Sequence, residues 1–277
     1  AQFIMRGRWQ AAAVACFGSF VPIISPAAVA LVSLRQGSVE GVRLAPWALL
    51  QSLALLASGG QDSLLTVASI AVVIVVLVAA SVLRSSASWA SAVMTATACS
   101  VVVSLLLMTL GASQLMSATQ LLAELLSELG TEQARLPIAA TPLFVAGLFG
   151  WVVAVGSLIA VLVARWWQAS LYNPGGFGSE IRQLRLGVGS ASVLAAMVAL
   201  GWLQGADYRP WVELLALPLL FSGLALLHYI AAARGLGALW LGLVYGGLVL
   251  SDSLNMVIVG LACVDSLINI RLRVAAK

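Results

Sequence analysis

Along this chain apolar residues run in long unbroken stretches instead of alternating with polar ones. Residues 64–83, 88–111, 138–164, 186–204 and 211–233 are the clearest, and 44–59, 236–251 and 254–270 are shorter examples. A helix needs roughly 20 apolar residues to cross a bilayer. A spanning barrel would show segments of alternating polarity. The pattern therefore predicts an all-α, polytopic helical membrane protein with about eight full or short spans.

The stretch 11–34 is long enough for one span, but Pro22 and Pro26 interrupt it. Proline inside a helix removes a backbone donor and clashes with the preceding turn. Charge decides the reading. A single span would place Arg35, Arg43, Arg84, Arg165, Arg182 and Arg185 outside, against the positive-inside rule. A hairpin of 11–21 and 24–34 puts Arg6, Arg8, Arg35, Arg43, Arg84, Arg165, Arg182, Arg185, Arg234, Arg271, Arg273 and Lys277 on the cytoplasmic side. Arg135 and Arg209 then lie outside, with Asp62, Glu124, Glu128, Glu132, Asp207, Glu213 and Asp252. Both chain termini are expected to be cytoplasmic. Each arm has 11 residues, about 16 Å of helix, short of a hydrocarbon core of about 30 Å. A re-entrant hairpin, or one sheltered by other helices, is expected.

Two connections have structure of their own. Residues 113–129 place Ser113, Ser117, Gln120, Glu124 and Glu128 on one helical face and Leu115, Leu122, Leu125, Leu126 and Leu129 on the other. This amphipathic period predicts an outer interfacial helix. Residues 165–185 form a cytoplasmic amphipathic connection. There Asn173-Pro174-Gly175-Gly176 signals a turn, Ser179 suits the N-cap of the next helix, and Trp166 and Trp167 suit the headgroup layer. The rest of the chain reads as one integral membrane domain, 1–277.

Composition agrees. The chain is 62% hydrophobic and 9% charged, against about 25% charged in soluble domains. The net charge of +4 comes from arginines scattered at segment ends, which orients a membrane protein and is no nucleic-acid signal. Cys16, Cys99 and Cys263 have no metal-ligand or disulfide spacing. Neither a metal nor a cofactor is expected. Residues 5–20 have the charged and apolar regions of a secretory leader. Proline at 22 and 26 interrupts the next stretch, and further spans come after it, so no cleavable leader is expected.

The segment Leu171-Tyr172-Asn173-Pro174-Gly175-Gly176-Phe177, with Glu180, Arg182, Leu184 and Arg185 beyond it, resembles the proteobacterial branch of the YybS-like family of bacterial membrane proteins, a domain of unknown function. Phe3-Ile4-Met5-Arg6-Gly7-Arg8 and the stretch from Gly260 through Asp265 to Arg271 and Arg273 resemble that family's two ends. The resemblance implies a bacterial inner-membrane, multi-pass location and no assigned activity. At fold level the family is distantly similar to the substrate-binding subunits of energy-coupling-factor transporters and to MreD. Those subunits meet their coupling partner through an Ala-xxx-Ala face, a spacing that Ala11 and Ala15 share. Fold-level similarity does not carry function.

Several residues are candidates for ligand or partner binding. Asp265 lies inside the last apolar segment, where a carboxylate costs about 2.5–3.5 kcal/mol on insertion scales. It reads either as a ligand or proton site or as a structural partner of Arg182, Arg185 or Arg234. Asn269, four residues on, shares its helical face. His228, the one histidine, reads as a titrating group or as a packed one. Tyr172, Asn173, Pro174, Gly175, Gly176 and Phe177, with Arg182 and Arg185 at helical spacing, suit an anionic headgroup, an interfacial elbow or a protein docking surface. Pro22 and Pro26 mark a helix break of the sort that lines transporter sites, or a kink. Ser251, Asp252, Ser253 and Asn255 read as an external turn.

Hydrolase, metalloprotease and nucleotide-binding motifs are missing, so no enzyme is expected; a lipid-modifying enzyme using Asp265 and His228 is the residual alternative. Two classes remain. One is a small-molecule or lipid binding or transport component, with membrane lipids as partners. The other is a non-catalytic scaffold that docks membrane or cytoplasmic proteins through 165–185. A ligand-sized polar cavity favours the first. A filled core with an exposed patch at 172–185 favours the second. Oligomeric state is left open.

Overall fold

A computed structural model describes residues 1–18, 21, 23–57, 63–128 and 140–275. Pro22, Asp62, Leu129, Glu132, Arg135 and Lys277 lie outside them. The described residues form helices and connecting turns and contain no strand.

The chain opens with α1 (Gln2–Met5), α2 (Arg8–Phe17), α3 (Ile24–Gln36) and α4 (Ser38–Ala57). At one end of α2, Arg8 Nη2 lies 3.4 Å from Glu40 Oε1, at the start of α4. At its other end, the Ala15 carbonyl accepts a 2.6 Å bond from Ser25 Oγ, at the start of α3. The two arms are thus antiparallel, and the chain enters and leaves them at the same end. Pro26 is the third residue of α3, where a missing N–H has no intrahelical partner to lose. It starts a helix and does not kink one. Every residue from Ser25 to Leu34 is buried, packed among α2, α4 and two later helices, α5 (Ser63–Ser86) and α8 (Pro142–Tyr172). A helix of 13 residues, about 20 Å long, does not cross a bilayer by itself. A short helix enclosed by protein in this way is of the kind tolerated at membrane depth.

Among the described residues four helices are long and apolar enough to cross a membrane: α5, α6 (Trp89–Leu110), α8 and α11 (Arg209–Ala233), the last preceded by the 3-10 turn Ala206–Tyr208. With 31 residues, α8 extends about 46 Å and packs against α3, α5, α6 and α11. It runs eight residues past the expected end at 164, so Arg165, Trp166 and Trp167 belong to its last turns. Small residues let these helices close on one another, as membrane packing requires without a hydrophobic drive. A side chain at Gly150 would collide with Ser104 of α6, and one at Gly223 of α11 would collide with the Ile258 carbonyl. Buried hydroxyls return bonds to their own helices, as Ser33 Oγ does to the Val29 carbonyl at 2.8 Å and Ser100 Oγ to Ala96 at 2.9 Å.

The other segments are shorter. The stretch 186–204 gives α10 (Val188–Trp202), of 15 residues, because Gly187 caps its start and Gly205, at φ 98°, lies just beyond its end. The segments 236–251 and 254–270 become α12 (Ala238–Leu250) and α13 (Asp252–Ile268), bent by 119° at Ser251. They add a fifth span if they count as one. No residue of α12 is buried. Asn255, read as part of a turn, lies inside α13 and donates to Glu213 Oε2 at 3.0 Å. The amphipathic segment forms α7 (Ala112–Glu128), which buries Leu115 and Thr119 and leaves Met116, Leu121 and Leu125 exposed.

Charge is divided between the ends. Arg84 donates to the Leu34 carbonyl at 2.7 Å, and the Arg35 guanidinium lies 4.5 Å from the Tyr172 ring centre. These contacts bring the ends of α3, α5 and α8 together with Arg8 and Arg43. At the opposite end Thr141 donates to Asp207 at 3.1 Å, and Arg209 lies 3.6 Å from Glu213.

Candidate functional site

Past α8 the chain turns sharply. The Gly176 N–H donates to the Asn173 carbonyl at 3.0 Å, with Pro174 second and Gly175 third at φ 85°, ψ −16°. This is the type II turn that Pro-Gly favours, since the third residue needs positive φ. A side chain at Gly176 would strike that of Asn173. The short α9 (Gly176–Ile181) comes next. Ser179 lies inside it and donates to the Gly176 carbonyl at 2.7 Å. It does not cap the next helix; Gly187 holds that place. Arg182 and Arg185 do not share a helical face either, because the chain leaves the helix after Ile181.

The elbow is tied to the bundle. Glu180 receives Arg165 through two bonds, Nε to Oε2 at 2.9 Å and Nη2 to Oε1 at 2.5 Å. Phe177 meets Trp89 edge-on, with ring centres 6.3 Å apart. Outside the turn itself and Pro26, the sequence-derived candidates that the structure describes separate into three places. Tyr172 lies under Arg35, on the outside of the elbow. Arg185, Asp265 and Asn269 join a buried knot. Phe177, Arg182 and His228 border a groove.

The knot centres on Asp265, at 0% exposure. Its Oδ1 accepts the Ile270 N–H at 2.9 Å and its Oδ2 accepts Arg271 Nε at 3.1 Å. Asn269 adopts φ 50° and its N–H donates to the Asp265 carbonyl at 3.0 Å. Asn269 therefore breaks the chain between α13 and α14 (Ile270–Ala275) instead of continuing the face of Asp265. Arg271 also donates to the carbonyls of Leu184, at 2.6 Å, and Arg182. Arg185 donates to the carbonyls of Asp265 and Ser266 at 3.1 and 2.9 Å, and its Nε lies 3.9 Å from the carboxylate. Burial pulls the Arg271 pKa below its ordinary value, opposed by the carboxylate beside it. Of the arginines expected beside Asp265, only Arg185 approaches it among the described residues. The closest partner is Arg271, brought back by the turn at Asn269.

The groove, about 510 Å³, lies among α8, α9, α11 and α12. Leu162 and Val163 of α8 and Phe221, Leu224 and Ala225 of α11 form its apolar part. Trp166, Phe177, Gly178 and Ile181 border it at the elbow, where Arg182, His228 and Tyr245 supply the polar groups. His228 Nε2 and Tyr245 Oη are 2.8 Å apart. Sequence reading missed Tyr245 and the apolar wall. One signal was present: His228 lies six residues before Arg234, the last before the Gly235–Gly237 turn, and Tyr245 eight after Gly237, so an antiparallel pair would bring them level. The wall residues look like any other lipid-facing leucines and valines.

A smaller cavity of about 330 Å³ lies beside the α2–α3 break. Ser25, Pro26, Gln51, Ser52, Thr66 and Ser69 are among its lining residues. No group of three or more histidine, cysteine, aspartate or glutamate residues suited to a metal occurs among the described residues. No family model, curated protein or solved structure matches the chain.

Proposed function

We propose that this chain is an integral membrane component that binds a membrane amphiphile in the groove among α8, α9, α11 and α12. One observation carries the reading. An apolar wall and a cluster of polar groups share a groove of about 510 Å³, within the range of roughly 300–1,000 Å³ usual for ligand sites. On one side stands α12, no residue of which is buried. An amphiphile would lay its tail on Leu162, Phe221 and Leu224 and its head near Arg182, His228 and Tyr245.

The same proposal sets the topology. The arginine-rich end faces the cytoplasm by the positive-inside rule. The helices α5, α6, α8 and α11 cross fully, while α10, the α12–α13 pair and the α2–α3 hairpin make shorter or partial crossings. A bacterial inner membrane and kinship with the YybS-like family complete it. No reaction is assigned. Asp265 is sealed in the knot while His228 faces the groove, so the two would not act on one substrate. The scaffold reading is less well supported, because Phe177, Glu180 and Arg185 turn inward onto the bundle.

Native mass spectrometry of the purified protein tests the groove. Leu224→Trp fills its wall, and Leu239→Trp adds the same ring to an 82%-exposed position on α12. Leu224→Trp should remove a co-purifying lipid that wild type and Leu239→Trp retain. Equal lipid occupancy in all three proteins would refute the site.

A further inference from the structure

Among the described residues, arginine side chains that are withdrawn from solvent have partners, with one exception. Arg165 is bonded to Glu180, Arg209 pairs with Glu213, Arg185 holds two carbonyls of α13, and Arg271 binds Asp265. Arg182 is half-buried, borders the groove, and its guanidinium has no acceptor among the described residues. Arg271 holds its backbone carbonyl, and its Nη1 reaches over Gly178, 3.4 Å from where a side chain there would begin.

A half-buried cation with no counter-charge, beside an apolar wall, is open to an anion, and a charge-assisted bond there is among the stronger ones. The neighbouring pair adds neutral donors whichever way its proton lies. If Tyr245 donates to His228 Nε2, the Nδ1–H stays free; if Nε2–H donates to the tyrosine oxygen, the tyrosine hydroxyl proton stays free. The site thus offers one unpaired guanidinium and at least one further donor at the head end, with no carboxylate lining it.

We propose that the groove selects a phospholipid whose head carries net negative charge, and that Arg182 is the residue that reads that charge. This rests on the groove being an amphiphile site. The planar guanidinium suits two phosphate oxygens at once, and such charge-assisted bonds are about twice as strong as neutral ones. A soluble phosphate would leave the apolar wall empty, so the tail belongs to the recognition.

The test uses the full chain in nanodiscs, with phosphatidylglycerol and phosphatidylcholine of identical tails, read by native mass spectrometry. Wild type should retain phosphatidylglycerol with about a tenfold preference. Arg182→Gln should bring the two lipids level, and Arg182→Lys should keep part of the preference. Raising the salt should shrink the wild-type preference without any substitution. Inorganic phosphate at millimolar concentration should leave lipid occupancy unchanged. A preference that survives Arg182→Gln, that ignores salt, or that free phosphate abolishes would overturn the inference. Leu224→Trp separates this from failure of the underlying reading. If that variant binds both lipids as wild type does, the groove is not the site. If it loses both while wild type never distinguished them, only the charge selection falls.

Discussion

Asp265 is held by a backbone N–H, a guanidinium and the fold of its own helix end, and none of it is exposed. An ion pair so buried contributes little net stability by itself, because desolvation offsets attraction, yet breaking it leaves an uncompensated charge. Asp265→Leu strips Arg271 of its carboxylate and should cost about 3–5 kcal/mol. Asp265→Asn keeps an acceptor for the Ile270 N–H and should lose less. Thermal unfolding in detergent ranks the two, and identical midpoints for wild type and both variants would show that the knot bears no structural load. A second residue-scale test concerns the elbow. Gly175 sits at φ 85°, a conformation that costs other residues about 1–2 kcal/mol. Gly175→Ala should lower the midpoint accordingly, whereas Gly189→Ala, in α10 with open space around it, should not.

At the scale of elements, contact between helices depends on where small residues lie. Gly223 lets α11 touch the backbone of α13, while Gly242 in α12 has nothing within 4 Å. Gly223→Ala should force the pair apart and cost about 1–3 kcal/mol as overpacking does; Gly242→Ala should stay within about 0.5 kcal/mol. Equal midpoints in detergent would mean that α11 and α13 are not close-packed. Element formation is the part most legible in the sequence. Unbroken apolar runs locate α5, α6, α8 and α11, and the amphipathic period of 113–129 marks α7. The α2–α3 hairpin comes from Arg8 and Arg35 needing one side, an argument from charge that proline alone could not make. Helix ends were less legible. Hydropathy carries no mark at Tyr172, where α8 stops, whereas the polar run that begins at Ser251 does mark the bend between α12 and α13. The partner of Asp265 was hidden for a related reason. Arg271 lies six residues away, off the helical face, until Asn269 takes positive φ and returns the chain. The groove's wall was illegible because lipid-facing and ligand-facing side chains share one chemistry.

For the whole molecule, the distribution of charge sets orientation. Arg8, Arg43, Arg84, Arg165, Arg185 and Arg271 gather at one end through contacts that the structure displays, from the Arg84 bond to Leu34 to the Arg271 bond to Leu184. Asp207, Glu213 and the polar face of α7 lie toward the other. Transfer of many arginines across the bilayer is opposed, so the end that carries them should remain in the cytoplasm. With Cys16, Cys99 and Cys263 replaced by alanine, single cysteines report the sides. Gln183 lies exposed between α9 and α10, and Ser117 lies exposed on α7. A membrane-impermeant thiol reagent added to intact cells should label Ser117→Cys and spare Gln183→Cys until the membrane is opened. The two sites come after helices of opposite direction: α6 leads away from the arginine-rich end to α7, and α8 returns to it before Gln183. One experiment therefore checks both the orientation and the number of crossings between them. Labelling of both sites from outside would contradict an odd number of crossings between α7 and α9. Labelling of Gln183→Cys alone would keep the fold and invert it, and the acidic lipid proposed for the groove would then have to come from the outer leaflet.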